Sequence, residues 1–167
     1  IRKHLLEYDD VMNRQREVFY SLRKEILDSA NHKAILMEMA EELVSRLLDD
    51  IAHEKIFPEE WDIEILNEFM ERQFLVSVTK KEDGSLEIGD SSNLSLEDCD
   101  REKLHGAIMN SIQIAYSVKE EGLDPEMMSH LQKMIMLQVI DNLWKDHLLG
   151  MDHLKDGVGL RGYAQKN

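Results

Sequence analysis

One stretch, residues 124–156, restricts most strongly what this chain can fold into. Asp124, Pro125 and Glu126 mark a helix start, because aspartate caps free backbone amides, proline suits the first turn and glutamate favours the positive end of the helix dipole. Beyond them the one helix-weakening residue is Gly150, which costs about 1 kcal/mol relative to alanine. At about 1.5 Å per residue, the stretch predicts a rod about 50 Å long.

The middle of this rod is apolar on most of its sides. The residues concerned are Met134, Ile135, Met136, Leu137, Val139, Ile140, Leu143 and Trp144. A helix that is hydrophobic nearly all round needs more than one neighbour to cover it. We therefore expect a central strut, and we expect the chain to self-associate if Met136, Ile140 and Leu143 are left exposed.

The N-terminal region predicts a second long helix with a single apolar seam. Alternating steps of three and four residues connect Leu5, Tyr8, Met12, Gln15, Phe19, Leu22 and Ile26. Gln15 is the only polar member of this seam. The pattern predicts burial against a partner helix, with the charged side chains mostly off the seam.

Charge divides the chain into three parts. The net charge is −14, and residues 31–123 hold 22 acidic against 9 basic side chains, whereas residues 1–30 and 124–167 are close to balance. We predict that the two flanks form one unit and that the acidic middle is a domain inserted between them. Nucleic acid and anionic lipid are not expected partners, because both need positive charge spread over a surface.

The acidic middle predicts shorter elements. Three helical faces are indicated by Leu36, Ala40, Leu43, Leu47 and Ile51, by Trp61, Ile65 and Phe69, and by Leu104, Ile108, Ile112 and Ala115. Residues 74–92 suit a short β-hairpin, since apolar and polar residues alternate on both sides of the turn dipeptide Asp83-Gly84. The alternating apolar residues are Val76, Val78, Leu86 and Ile88.

Composition fits these elements. Two prolines in 167 residues leave helices uninterrupted, and ten methionines suit helix-lined cores. We predict an all-α fold in which long scaffold helices flank a small inserted helical domain that carries a short hairpin. The single cysteine, Cys99, has no disulfide partner in the chain, and no apolar run approaches the length of a membrane span, which together indicate a soluble protein of a reducing compartment.

A glycine motif near the C-terminal end raises the question of nucleotide binding. Gly157, Gly159 and Gly162 have the G-x-G-x-x-G spacing of dinucleotide-binding loops. That motif needs a preceding strand, a following helix and an acidic residue about twenty positions further on. Here a predicted helix precedes the glycines, so we expect Asp156-Gly157 to end that helix with a left-handed cap and the glycines to form a flexible loop.

Signals of catalysis or metal binding are weak. His147 and His153 are six residues apart and lie on different faces of one helix, and no cysteine joins them. Neighbouring acids such as Asp49 and Asp50 point about 100° apart on a helix, which does not suit a carboxylate pair. Neither a Walker A loop, nor a nucleophile elbow, nor an H-E-x-x-H motif occurs. The residues by themselves indicate a binding or mechanical module, with no catalytic residue and no metal site.

Two stretches carry a family resemblance. "LLEYDDVMNRQREVFY" (Leu5 to Tyr20) and "LWKDHLLGMDHLKDGVGLRGYAQKN" (Leu143 to Asn167) resemble the SecA family, the ATPases that drive preproteins through the bacterial SecY channel. Their order and separation imply a helical scaffold domain, residues 1–30 and 124–167, interrupted by a helical wing domain, residues 31–123. The chain would then be a piece cut from a longer protein, without its nucleotide-binding domains, so no ATPase activity and no cofactor are expected here, while the parent uses ATP and Mg²⁺.

The resemblance also implies a site at the end of the second long helix. That helix corresponds to the first arm of a two-helix finger, whose loop enters the cytoplasmic mouth of the SecY, SecE and SecG channel and touches the preprotein. The match "LRGYAQK" places Tyr163, with Arg161 and Gly162, at this contact. A tyrosine offers apolar area and one hydrogen bond to any passing chain. The alternative is that Tyr163 packs the loop against its own helix.

Further partners follow from the same resemblance. The parent would act in the cytoplasm, peripheral at the cytoplasmic face of the plasma (inner) membrane. Arg14, Arg16 and Arg23 are candidates for contact with the motor body, meaning the parent's nucleotide-binding and preprotein-crosslinking domains, although a solvated face explains each arginine equally well. Two other functions remain open: a stand-alone helical adaptor that binds partner helices through the Leu5 to Ile26 seam, and an enzyme that uses the glycine loop.

Overall fold

The structure is a computed structural model that describes residues 2–53, 56–90 and 92–164, without the side chains of Arg2, His4, Leu5 and residues 158–164. It contains five α-helices and three β-strands within that part. In chain order they are α1 (Arg2–Asp28), α2 (His32–Ile51), α3 (Ile63–Phe74), β1 (Val78–Lys80), β2 (Ser85–Ile88), β3 (Ser92–Ser95), α4 (Arg101–Glu120) and α5 (Pro125–Ala164). Short 3-10 turns cover Pro58–Glu60 and Leu96–Asp98.

The chain divides into two compact units. Unit 1 comprises Ile1–His32 and Ser129–Asn167, and unit 2 comprises Lys33–Met128. The charge pattern placed the corresponding boundaries at residues 30/31 and 123/124. Unit 1 contains the long helices, and unit 2 combines helices with the β-strands.

Helix α1 has the seam that its sequence predicts. Met12 and Ile26 are buried, and Tyr8, Gln15, Phe19 and Leu22 are half-buried, whereas most intervening residues are exposed. Leu5, the first predicted member, lies outside the residues whose side chains are described. The spacing of three and four residues keeps these side chains on one side of the helix, so one face is left for a partner.

Helix α5 begins as predicted and ends later than predicted. Asp124 Oδ2 accepts hydrogen bonds from the backbone N–H groups of Glu126 at 3.1 Å and Met127 at 3.2 Å, which confirms the N-cap. The expectation that Asp156-Gly157 ends this helix is wrong, because α5 continues to Ala164. The reason is that glycine in a helix costs only about 1 kcal/mol and no proline follows to block the next turn.

Unit 2 has the larger core. Its buried apolar residues come from α2, α3, α4, β1, β2 and the segments that connect them; they are Ala40, Val44, Leu48, Ile51, Ala52, Trp61, Leu66, Met70, Val76, Val78, Leu86, Ile88, Leu96, Cys99, Leu104, Ile108 and Ile112. Helix α3 packs beside β1, and α4 packs against β2 and β3. The three predicted helices and the sheet therefore close around a single apolar interior.

The predicted hairpin exists and is part of a larger sheet. Strands β1, β2 and β3 pair in that order, each antiparallel to the next, with Val78 opposite Ile88 and Leu86 opposite Leu94. At the first turn Gly84 has φ +79°, a left-handed conformation that suits glycine. The third strand was not predicted, since Ser92–Ser95 is mostly polar and half-exposed.

The predicted helical face is correct for α4, and the predicted faces of α2 and α3 each contain one exposed member. Leu104, Ile108 and Ile112 of α4 are buried as expected. In α3 the predicted Ile65 is 52% exposed, and its neighbour Leu66 is buried instead. In α2 the predicted Leu43 is likewise exposed beside the buried Val44, whereas Ala40 and Ile51 are buried as predicted.

Candidate functional site

The most extensive set of interactions in unit 1 joins α1 to α5. Residue numbers fall along α1 as they rise along α5, so the two helices are antiparallel. The contacting pairs, from one end to the other, are Leu27 with Lys133, Arg23 with Asp141, Phe19 with Trp144, Gln15 with His147, and Tyr8 with Lys155. We call this set the α1–α5 seam. It covers about twenty residues of α1, or about 30 Å at 1.5 Å per residue.

Aromatic rings form the centre of the seam. The rings of Phe19 and Trp144 are stacked with their centroids 4.7 Å apart and an interplanar angle of 8°. Tyr20 meets the edge of Phe19 at 5.3 Å, and the His147 ring stacks on Trp144 at 5.6 Å. Aromatic pairs of this kind contribute about 0.5–1.5 kcal/mol beyond the area that they bury.

Polar pairs on both sides of the rings fix the register of the two helices. Arg23 donates from Nε to Oδ1 of Asp141 at 3.1 Å and from Nη2 to Oδ2 at 3.5 Å, a two-pronged pair that is half-buried. The Nε2 atom of His147 is 2.7 Å from Oε1 of Gln15. Sliding one helix along the other breaks these contacts together, because each polar group has its partner at only one position.

The C-terminal end of α1 is held by two side chains. The buried His32 places Nε2 2.8 Å from the backbone oxygen of Ile26, and Lys133 donates to the backbone oxygen of Leu27 at 2.6 Å. Because the carbonyl only accepts, Nε2 of His32 carries the proton in this bond, and in the neutral ring Nδ1 accepts from Ser129 Oγ at 3.4 Å. These bonds satisfy carbonyl groups that a helix end leaves unpaired.

A second apolar stripe on α5 has no cover in the described part of the chain. It consists of Leu131, Met134, Ile135, Val139 and Leu143, which are 42–62% exposed. Sequence reasoning named Met136, Ile140 and Leu143 as the exposed face, and this was correct only for Leu143. Met136 is buried and Ile140 is half-buried, because successive residues advance about 100° around a helix and these two lie on a neighbouring stripe.

The three arginines proposed for contact with a motor body have different surroundings. Arg23 is engaged with Asp141 within unit 1. Arg16 is exposed and donates to Oδ1 of Asn13 at 3.4 Å, and Arg14 is exposed. Arg14 and Arg16 therefore remain accessible in this chain, whereas Arg23 serves the α1–α5 seam.

The residues proposed for contact with channel and preprotein lie at the end of α5. The side chains of Arg161 and Tyr163 fall outside the described part of the chain, although the helix assignment includes the backbone of both residues and of Gly162 between them. The antiparallel register places this end of α5 beside the start of α1, away from His32 and Ser129. The loop that sequence reasoning expected at these positions is helix at least to Ala164.

The pairing residues of α5 were not predicted. No sequence motif distinguishes Asp141 or Lys155 from other polar positions of the helix, and His147 stands out only as one of two histidines six residues apart. One signal was present in α1, since Gln15 is polar within an apolar seam and a buried amide needs a hydrogen-bond partner. The sequence does not show which of many polar residues on α5 provides that partner.

The described ranges 2–53, 56–90 and 92–164 contain no group of three or more His, Cys, Asp and Glu side chains arranged to hold a metal ion. None of the helices described in these ranges is long and apolar enough to cross a membrane. Gly157, Gly159 and Gly162 lie inside α5, so the strand–loop–helix geometry of a nucleotide cradle does not occur there.

Fold and seam together define a class of protein: a long antiparallel helix pair that carries an inserted, acidic domain with a small sheet. The family model described as "SecA Wing and Scaffold domain" matches residues 1–167. The chain therefore belongs to the SecA family and is its wing and scaffold region.

Individual relatives agree with this assignment. The chain is 40% identical over 170 residues to the protein translocase subunit SecA of Syntrophobacter fumaroxidans, and all of the chain is covered. It is 43% identical over 167 residues to the same subunit of Desulforapulum autotrophicum, again over its whole length. The chain spans only 19% of the length of either relative.

Proposed function

We propose that the α1–α5 seam is a stiff strut that couples ATP-driven domain motion to the movement of preproteins through the SecY channel. The observation that supports this role is the continuous set of pairs from Leu27 with Lys133 to Tyr8 with Lys155. A motion applied at one end of a rigid element reaches the other end only if the element does not slip or bend. The stacked rings and the register-fixing polar pairs oppose slipping.

The motor that drives this strut belongs, in this proposal, to the rest of a longer protein. ATP and Mg²⁺ are bound by nucleotide-binding domains outside the 167 residues, and the chain alone neither binds nor hydrolyses nucleotide. Arg14 and Arg16, which are exposed on α1, are the candidates for contact with these domains and with the preprotein-crosslinking domain. The protein acts in the cytoplasm, at the cytoplasmic face of the inner membrane.

The coupling role is tested in the full-length protein with Phe19→Ala and Trp144→Ala. Both changes remove the central ring stack, so we expect preprotein translocation to fall much further than ATP hydrolysis. Glu17→Ala and Lys145→Ala, at exposed neighbouring positions, serve as matched controls and should leave both rates unchanged. An equal loss of the two rates, or no loss of either, contradicts the strut.

The far end of α5 is the proposed contact with the channel and the moving chain. Tyr163, with Arg161 and Gly162, belongs to the "LRGYAQK" motif, and α5 is long enough, about 60 Å for its 40 residues at 1.5 Å each, to reach a distant partner. The partners proposed here are the SecY, SecE and SecG channel and the preprotein.

A crosslink tests this contact. In a full-length protein with Cys99→Ser, a single cysteine is introduced by Tyr163→Cys, and a preprotein is stalled during translocation. We expect a crosslink from this cysteine to the preprotein or the channel, and none from a control cysteine at the exposed Asp152, three turns earlier on α5. A protein that translocates normally without any crosslink from position 163 contradicts the contact and leaves the strut as the whole function.

The uncovered stripe of Leu131, Met134, Ile135, Val139 and Leu143 supports one further proposal. In the longer protein other parts of the parent chain cover it, since this chain spans less than a fifth of its relatives. In the isolated chain a second copy covers it, which buries apolar surface that is otherwise exposed to water. Light scattering should show a dimer that Val139→Glu converts to a monomer, while Lys145→Glu does not. A monomeric unmodified chain contradicts self-association.

A further inference from the structure

The turn between β1 and β2 contains Asp83-Gly84, a dipeptide whose backbone can rearrange spontaneously. In an Asp-Gly pair the glycine nitrogen attacks Cγ of the aspartic acid, and the absence of a glycine side chain leaves room for this approach. The N–Cγ bond forms, the Cγ–OH bond breaks, and water leaves with the proton of the nitrogen, which gives a succinimide ring. Water then opens the ring. If it breaks the bond between the nitrogen and the aspartate α-carbonyl carbon, the backbone runs through Cβ and Cγ as isoaspartate.

The chain has two Asp-Gly pairs in different settings. Asp83-Gly84 lies in the β1–β2 turn, and Asp156-Gly157 lies within α5. Both aspartates are exposed, so water reaches either of them. Only the first pair is followed by a hydroxyl residue, Ser85, whereas the residue after the second is a valine. The second pair therefore serves as an internal reference for the first.

Ser85 stabilises the ionised form of the Asp83 carboxyl group. Oδ1 of Asp83 accepts hydrogen bonds from the backbone N–H of Ser85 at 2.9 Å and from its Oγ–H at 2.6 Å. The hydroxyl bond is the largest cause that lowers the pKa of Asp83 below its ordinary value, and the backbone bond comes second. An ionised carboxylate resists attack, because water cannot leave from it until it has been protonated.

The attacking nitrogen is also engaged in the folded turn. The N–H of Gly84 donates to the backbone oxygen of Lys81 at 3.1 Å, and the N–H of Lys81 donates to the backbone oxygen of Ser85 at 2.8 Å. The nitrogen of Gly84 has to give up this bond and its proton before it can bond to Cγ. Both reacting groups are thus held by partners within the turn.

Isomerisation would disturb the core of unit 2. Isoaspartate adds one carbon to the backbone between Lys81 and Ser85, which the 2.8 Å bond now joins. Leu86 and Ile88 follow directly on β2 and have no exposed surface. Because the turn sets the register of the strands that it connects, a longer turn shifts these side chains relative to β1.

We propose that Asp83 is a site of spontaneous isomerisation and that Ser85 protects it in the folded chain. The protection acts on the electrophile through the hydroxyl of Ser85 and on the nucleophile through the carbonyl of Lys81. Unfolding of unit 2 releases both groups, so the modification marks chains in which this unit has opened. The site lies wholly within unit 2 and is independent of the proposed strut.

The test follows isoaspartate in the 167-residue chain, incubated near neutral pH either folded or in urea. Mass spectrometry with electron-transfer fragmentation locates isoaspartate in the tryptic peptides 82–101 and 156–161. Asp83 should isomerise much more slowly in the folded chain than in urea. Ser85→Ala removes the hydroxyl and keeps the backbone N–H, so the folded rate at Asp83 should rise about two- to tenfold, as expected for loss of one hydrogen bond.

Matched variants separate protection by the hydroxyl from a general loosening of the sheet. Ser85→Thr keeps the hydroxyl and should retain the slow rate. Ser95→Ala changes the serine directly opposite on β3 and should leave the rate at Asp83 unchanged. The rate at Asp156 should be the same in all variants, and circular dichroism checks that each is folded. Equal rates at Asp83 in the folded chain and in urea, or an unchanged or slower rate in folded Ser85→Ala, overturn the proposal.

Discussion

Units 1 and 2 are stabilised in different ways. Unit 2 surrounds its buried residues with three helices and a sheet, so that Leu66, Leu86, Leu104 and Ile108 have no exposed surface at all. Unit 1 consists mainly of α1 and α5, and most contacts of its seam are made by half-buried rings and polar pairs. A two-helix structure cannot enclose a core, so it relies on specific contacts along one line.

Stability and stiffness therefore have separate sources in this chain: the closed core of unit 2 supplies stability, and the contacts of the α1–α5 seam supply stiffness. Unit 2 buries enough apolar area to fold as a compact body, as domains with one closed core do. The seam of unit 1 buries less and leaves the stripe around Val139 exposed, yet it fixes the position of one long helix against another.

The largest effect is expected in the core of unit 2. Leu66→Ala leaves a cavity where a fully buried side chain was, and should reduce the free energy of unfolding by about 2–5 kcal/mol. Ile65→Ala, at the exposed neighbouring position, should cost under about 1 kcal/mol. Trp61 fluorescence in a Trp144→Phe background measures unit 2, and Trp144 fluorescence in a Trp61→Phe background measures unit 1. If Leu66→Ala shifts both signals equally, the two units unfold as one and the contrast fails.

A smaller effect is expected at the centre of the seam. A double-mutant cycle with Phe19→Ala and Trp144→Ala should give a coupling energy of about 0.5–1.5 kcal/mol, because the two rings stack only on each other across the helices. Chemical denaturation followed by circular dichroism measures it. A coupling energy near zero means that the ring stack does not fix α1 against α5. The two helices would then be held together by burial of apolar surface alone.

The polar pairs of the α1–α5 seam should contribute less to the free energy of unfolding than the ring stack does. Arg23→Ala removes the two-pronged bond to Asp141 and should cost about 0.2–1 kcal/mol, since both side chains are about one-third exposed and solvent screens the pair. The matched control is Arg16→Ala, because the Arg16 side chain bonds to the exposed Asn13 of its own helix; it should be neutral within error in the same denaturation experiment. Equal costs for the two arginines contradict a role of Arg23 in the seam.

The smallest effect concerns the thiol of Cys99. Burial, and secondarily the carboxylate of Asp100, raises the pKa of this thiol above its ordinary value. The folded chain therefore keeps the thiol proton more tightly, so this contribution to stability is complete below the ordinary thiol pKa and declines as pH rises beyond it. Alkylation rates measured against pH should give a higher apparent pKa for the folded chain than for the chain in denaturant. Identical pH profiles contradict the expected burial.

Local features of the fold were predictable from the sequence because their signals are local. The seam of α1, the Asp124 cap and the turn at Asp83-Gly84 each depend on a few neighbouring residues with defined backbone or face preferences. The exposed Leu43 of α2 and Ile65 of α3 show the limit of this reasoning. Apolar residues occur on adjacent positions such as Ile65 and Leu66, so periodicity alone does not decide which of them is buried.

Features that depend on distant residues were not predictable in the same way. The strand Ser92–Ser95 has little apolar pattern of its own and forms because β2 offers an edge to pair with. The partners Asp141 and His147 are more than one hundred positions from Arg23 and Gln15 in the sequence. A polar residue on a helix carries no sequence signal that identifies so distant a hydrogen-bond partner. The candidate site was therefore predictable as a face of α1 but not as a set of pairs.

The seam also has a consequence for the time at which it forms. Its hydrogen-bonded partners are 106 to 132 positions apart in sequence, with the whole of unit 2 between them. At about 5–20 residues per second, synthesis of the intervening hundred residues takes about 5–20 s, during which α1 has no partner. All core residues of unit 2 are synthesised before that interval ends. The apolar face of α1 is therefore synthesised well before the residues of α5 that cover it, and during that interval it is open to aggregation.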